Sequence, residues 1–382
     1  MLCPHCKKTL LYRERGGRQC SACKCEFAFE PKTGPLRLHD LRFRKTVAKV
    51  GDNGRLRYTA DQLRHFLARK VVAAQKPTSL GVLVTGTLLA AFLAGTAVSA
   101  VVSPRLGIPL ALLVLIAGAA FGWRQSRRPF HPRMPIDAAK FATDVLGRWQ
   151  KVYGGAPDGL INEASLRDPA RAALATEGLR AVVVCPERGV LACLLANRIP
   201  EKLRVGLLPT EPPFDAWEEA ILAVLRKEPR LPILLLHDAS AAGALLAQDL
   251  PLLLRLSPEH RIVDLGLNPR RSIEKQRLRL GAPVPQQALD RLRAQALDGA
   301  PPTGPAHNAR PLRRRRAVLT PLELAWLEQG HYSPVLALAP ADIVKRVTAG
   351  LERVAARRGA ERPAESSEPI PARAVTFLSW PE

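Results

Sequence analysis

Cys3-Pro4-His5-Cys6 and Cys20-Ser21-Ala22-Cys23 are two CxxC pairs separated by thirteen residues. Each pair can fold as a tight knuckle whose thiolates point at one ion. Two knuckles close a tetrahedral four-sulfur shell, which suits zinc because that ion favours sulfur and imposes no other geometry. Cys25 supplies a fifth thiol, an alternative ligand to Cys20 or Cys23. A closed shell leaves no open position for substrate, so the expected zinc is structural and folding of this small segment is coupled to it. A thioredoxin-type dithiol would need a surrounding βαβ pattern, which is lacking. Five of the seven cysteines lie in the first 25 residues, which excludes a disulfide framework for the whole chain.

Over about residues 1–35 this pattern resembles the zinc-ribbon family. A ribbon usually carries glycine just after each knuckle, where Lys7 and Lys24 stand here. Arg15-Gly16-Gly17-Arg18 fits a small hairpin joining the knuckles. Ribbons serve nucleic-acid, protein and purely structural roles, so the resemblance implies a metal and leaves the role open.

A second set of chemically able residues is Glu187 with His237-Asp238-Ala239-Ser240. Continuous apolar runs at 181–185, 203–208, 231–236 and 261–265 alternate with helical patterns at 187–197, 214–227 and 239–250. That alternation predicts a Rossmann-like α/β domain with a parallel sheet, which places Glu187 and Asp238 just past the carboxyl ends of strands, where such folds site their chemistry. No GxGxxG or GxxxxGK[ST] occurs, so dinucleotide and P-loop chemistry is disfavoured. An acid after one strand and a DxD-like triplet after a later one resembles, over residues 180–250, the Toprim family of magnesium-dependent nucleic-acid enzymes. The resemblance implies that Glu187 does acid/base work and that Asp238 helps hold magnesium. Ser240 replaces the second aspartate, which removes one oxygen ligand from a hard cation. Asp238 also fits a simple cap of the helix that follows it, His237 a packed residue, and Cys185 and Cys193 buried small hydrophobes.

The elements around these residues are divided by charge. The chain of 382 residues carries a net charge of +23. Residues 1–79 hold 18 bases and 6 acids, residues 124–382 hold 38 and 28, and residues 80–123 hold only Arg105. Residues 79–102 and 106–123 are long enough for two membrane helices with a tight turn between them. Flanking Arg and Lys residues place both termini in the cytoplasm, so the sequence predicts a two-span protein of the cell membrane in contact with its lipids. Gly86, Ala90 and Ala94, and Gly118 and Gly122, form small-residue faces for packing within the hairpin or for a homo-oligomer.

The remaining segments read as follows. Residues 36–78 predict a β-hairpin (41–50 with 55–58) and a basic amphipathic helix opened by a Thr59–Gln62 capping box. That helix can pack on the hairpin or lie on anionic headgroups. The α/β domain spans 136–298, with a helix over 137–153. Arg270, Arg271, Lys275, Arg277 and Arg279 form a basic run near its end. Residues 299–319 are a Pro/Gly linker containing Arg313, Arg314, Arg315 and Arg316, which can meet phosphates of lipid or nucleic acid. No aromatics interleave these bases, so sequence-specific nucleic-acid binding is not indicated. Residues 320–358 are helical and 359–382 a disordered tail. The expected fold is thus a multidomain α+β membrane protein: zinc ribbon, two-helix transmembrane hairpin and cytosolic α/β domain. The expected role is a membrane-anchored interaction or regulatory protein with an unidentified protein partner and no complete catalytic set. The competing reading is a membrane-tethered, Toprim-like magnesium enzyme acting on nucleic acid.

Overall fold

The structure is a computed structural model; it describes residues 1–75, 130–162, 178–275, 277–298 and 319–361, with isolated positions 93, 113, 116–118 and 120. Beyond the cysteine segment, the chain builds an N-terminal lobe from α1 (Asp40–Val50) and α2 (Ala60–Ala73). Residues 41–50 are therefore helix, and the expected β-hairpin is overturned. His39 accepts the Arg42 N–H at 3.2 Å as N-cap, and Phe43, Val47 and Val50 recur at helical spacing into the core. As β-branched and aromatic residues they favour a strand locally, and burial of the stripe overrides it. In α2 the Thr59–Gln62 capping box forms as expected. Its Leu63 and Leu67 are fully buried, and the Arg42 guanidinium of α1 donates to Leu67 O at 3.1 Å. The apolar face of α2 is thereby covered by protein and is not presented to headgroups.

A helical stretch runs from Ala138–Lys140 through a π-helical segment, Phe141–Gly147, to Arg148–Tyr153. It sends Phe141, Val145 and Trp149 into the same core. Ring centroids there are 4.5 Å apart for Phe43–Trp149, at the close end of the range of favourable aromatic pairs, and 4.2 Å apart for Trp149–Tyr153. At the base of this lobe the Gln75 amide donates to Arg133 O at 2.7 Å and accepts from Arg133 N–H at 2.9 Å.

Four strands make a wholly parallel sheet: β1 (Ala181–Val184), β2 (Val205–Leu208), β3 (Ile233–Leu235) and β4 (Ile262–Asp264), in the order β2-β1-β3-β4. Side chains of β1 alternate between faces. Ala181 and Val183 join a core with α3 (Arg188–Ala196), whereas Val182 and Val184 join one with α4 (Ala216–Lys227). Burial on both faces explains why the strands read as unbroken apolar runs. Each fully buried valine contributes about 1.5–3 kcal/mol, so Val183→Asp would break the sheet at its centre. The helix α5 (Ala241–Leu253) leads from β3 to β4.

After β4 come α6 (Pro269–Glu274), β5 (Leu280–Gly281), α7 (Gln286–Asp298), α8 (Pro321–Glu328), β6 (His331–Tyr332) and α9 (Pro340–Glu361). β5 and β6 pair antiparallel. The segment after β6 crosses the sheet's carboxyl edge, where Ser333 and Ala239 exchange backbone hydrogen bonds of 2.9 and 3.0 Å.

The membrane architecture is corrected. Among the described residues no helix is long and apolar enough to cross a membrane. A two-span protein of the cell membrane with cytoplasmic termini and bound lipids is therefore not supported. The longest described helix, α9, has 22 residues but alternates buried Ile343, Val347 and Leu351 with Lys345, Arg346 and Glu352. Its polar face would be costly in hydrocarbon. Apart from isolated positions, the apolar runs 79–102 and 106–123 and their small-residue faces lie outside the described residues, as do Arg313–Arg316 and residues 362–382.

Candidate functional site

The four cysteines converge. Sγ atoms of Cys3, Cys6, Cys20 and Cys23 all lie within 4.8 Å of one another, with Cys3–Cys23 at 3.7 Å and Cys6–Cys20 at 3.8 Å. A tetrahedron with metal–sulfur arms of about 2.3 Å has edges of about 3.8 Å, so the group is dimensioned for a tetrahedral ion such as zinc. The two knuckles repeat one backbone pattern. Cys3 N–H donates to Lys8 O (2.9 Å) and Lys7 N–H to Cys3 O (3.3 Å); Cys20 N–H donates to Cys25 O (3.1 Å) and Lys24 N–H to Cys20 O (2.9 Å). Lys7 and Lys24 stand in the left-handed region at φ 63° and 59°. That conformation accounts for the glycine usual at this place.

Cys25 is not part of the cluster; its thiol donates to Cys23 O at 3.5 Å. Backbone hydrogen bonding from Cys23 holds the Cys20 thiol down to about 6 against the opposing pull of burial, which favours the thiolate a metal needs. Between the knuckles, where a hairpin was expected, Tyr12–Arg18 form two short 3-10 turns broken by a kink at Arg15, Gly16 and Gly17. Apart from the cysteines, Leu10 and Phe27 are the large apolar side chains that the module buries completely. Within it Arg15 pairs with Glu30 at 3.3 Å, both buried. It is fastened to the lobe by Phe29, which packs on Phe43 and Trp149, and by Asp40, which accepts from Ala28 and Phe29 N–H at 2.8 and 2.9 Å and from the Tyr153 hydroxyl.

The second candidate site lies at the carboxyl ends of β1 and β3. The strand order reverses direction between these two, which makes their crevice the topological switch point of the sheet. Glu187 follows β1 and Asp238 follows β3, so the fold brings both to one place. Burial pushes the Asp238 carboxyl up to about 7; the Val335 N–H opposes this and the Glu187 charge adds to it. Burial, and then Asp61 at the start of α2, also raise the Glu187 carboxyl. Asp238 does not cap α5. Ser240 does so, accepting the Gly243 N–H at 3.0 Å, while Asp238 Oδ1 accepts the Val335 N–H at 2.7 Å.

His237 is buried with both ring nitrogens facing acceptors, the Asp238 carbonyl at 2.7 Å and the Asp264 carboxylate at 3.0 Å. Both contacts are satisfied only by the imidazolium, and although burial opposes it the Asp264 hydrogen bond raises the pKa. The ring fills the space over Gly266, where a Cβ would stand 2.3 Å from Nε2. The crevice is covered by the chain itself. Residues 333–337 lie across it, and a Cβ on Gly189, in the first turn of α3, would stand 3.1 Å from Leu336. Asp61, Tyr332 and Asp264 belong to this neighbourhood. Asp61 reads in sequence only as a first-turn acid, and Tyr332 and Asp264 carry no motif; a charge at the end of the fourth apolar run is the one signal that points to Asp264. Among the described residues the cysteines are the group of three or more metal-ligating side chains that gathers closely enough to hold an ion. No protein-family model, no curated protein and no solved structure matches this chain.

Proposed function

We propose that the chain is an interaction or regulatory protein whose four cysteines form a structural zinc ribbon and whose α/β domain serves as a binding platform without a complete catalytic set. The observation that supports this reading is the covering of the switch-point crevice by residues 333–337. The place where a parallel sheet offers its strand ends to substrate is taken by Val335, which donates to Asp238. The raised carboxyls of Glu187 and Asp238 are accounted for by that burial.

The test is affinity isolation of the intact chain, purified with zinc and after chelation, beside an assay of magnesium-dependent cleavage of single- and double-stranded nucleic acid. The expected result is a protein partner retained by the zinc-loaded chain and lost on chelation. Cleavage abolished by Glu187→Gln or Asp238→Asn would overturn the proposal.

A further inference from the structure

Between the end of α2, α6 and the segment after it, the last turn of α8 and the start of α9 lies a cavity of about 580 Å³. Among the described residues its charged lining is Arg69, Lys275, Arg277 and Arg279 against the single acid Asp342. Other arginines of the chain have carboxylate partners, as Arg188, Arg270, Arg291 and Arg293 do. No ion pair among the described residues reaches any of these four cations. Three polar atoms in the same wall are buried and lack a hydrogen-bond partner: Arg69 Nε, Arg277 Nε and Ser272 Oγ. Ser272 is only 4% exposed. A buried donor without a partner costs about 1–3 kcal/mol, and three around one cavity mark a place prepared for an acceptor.

The cations also oppose one another. Burial, and then the Arg277 charge, lower the pKa of Arg69 and of Arg346 behind it. Arg69 is nevertheless held in place, its guanidinium 3.8 Å from the Phe66 ring centroid and donating to Ala337 O. Apart from Gln75 the rest of the wall is apolar, with Val72, Ile273, Leu278 and Trp326.

We infer that this cavity binds a phosphate-bearing small molecule of about nucleotide size, its phosphate held by Arg69, Lys275 and Arg277 with Ser272 Oγ donating, and its organic part against Leu278 and Trp326. Guanidinium forks match phosphate oxygens, and four cations against one acid exceed what a single carboxylate would balance. The volume falls within the range of small-molecule sites, about 300–1,000 Å³, and inorganic phosphate alone would leave most of it open.

The test is isothermal titration of the full chain with adenosine 5′-monophosphate, adenosine, inorganic phosphate and a short single-stranded oligonucleotide. Adenosine 5′-monophosphate is expected to bind and adenosine to fail. The double substitution Lys275→Gln with Arg277→Gln is expected to weaken binding by about tenfold or more. Its melting temperature without ligand should not fall, because repulsion is relieved and, among the described residues, no internal bond to either side-chain head is lost. Ser272→Ala provides an independent check, with affinity down about threefold or more at unchanged stability. Failure of adenosine 5′-monophosphate to bind, or binding indifferent to these substitutions, overturns the inference. Inorganic phosphate binding as tightly would remove the role of the apolar wall, and an oligonucleotide displacing the mononucleotide at equal phosphate concentration would reassign the cavity to nucleic acid; either also overturns it.

Discussion

At the scale of residues, the cysteines and the buried histidine make opposite demands on ionisation. Cys20 gains from losing a proton and is part of the four-thiol cluster; Cys25, close in sequence, points elsewhere. Cys20→Ser is expected to lower the metal content of the purified chain and unprotect residues 1–35 in hydrogen exchange. Cys25→Ser should retain one metal per chain, and loss of metal in that variant would count against the four-thiol assignment. Around the sheet edge the signs run with pH. Asp238 has its carboxyl raised from 3.8 to about 7, so the fold favours the protonated form and stability declines as pH rises across that interval. His237, also raised, contributes fully below its ordinary value of 6.5 and is lost as pH rises through its folded value. Asp264, lowered beside that imidazolium after burial's opposing effect, contributes above its ordinary value and is lost toward acid. Asp238→Asn keeps an acceptor for Val335 and removes the charge. It is expected to flatten the decline between about pH 4 and 7 and to add about 1–2 kcal/mol at neutral pH, measured by denaturant midpoints across pH. An unaltered slope would show that Asp238 is ionised freely in the fold.

At the scale of elements, caps and patterns differ in how far they reach. The Thr59–Gln62 box is a four-residue signal and forms in place, with Thr59 fully buried. Thr59→Ala is expected to cost about 1–2 kcal/mol, read as a lowered denaturant midpoint with an unchanged slope. The strands of the parallel sheet were legible for a similar reason. Val182 to Val184 are β-branched and apolar on both faces, so propensity and burial agree. In α1 they disagree, because Val47 and Val50 favour a strand while their spacing with Phe43 favours a helix, and only packing against Leu63 and Trp149 settles the matter. The cysteine spacing was enough to find the four-thiol cluster because its members are local. The covering of Glu187 and Asp238 was not legible, since it depends on Val335, 97 residues beyond Asp238. The cavity was half legible: Lys275, Arg277 and Arg279 form one run, but Arg69 and Asp342 reach it from other parts of the chain.

At the scale of the whole molecule, the N-terminal lobe is joined to the rest of the chain through the backbone of Arg57 and Tyr58. Tyr58 N–H donates to Gly159 O at 3.0 Å, Ile161 N–H donates to Tyr58 O at 2.9 Å, and the Asn197 amide accepts from Arg57 N–H and donates to Arg57 O, both at 2.9 Å. The charge-free stretch that suggested a membrane protein carries no information about these joins, which is why composition misjudged the architecture. The pairing of Gln75 with both backbone groups of Arg133 has a further meaning for the topology. It holds residues 75 and 133 together, a closed doorway at which the chain leaves and returns. Closing a loop costs free energy only as the logarithm of its length, so a much shorter connection between the two is expected to leave the frame nearly as stable. Replacing residues 77–129 by a short glycine–serine linker is expected to yield a chain that melts within about 5 °C of the full protein and keeps its metal. Collapse of that variant would show that the replaced segment supports the frame. Its survival would identify residues 77–129 as cargo: a detachable segment that can be lengthened, shortened or exchanged while the doorway and the rest of the protein stay as they are.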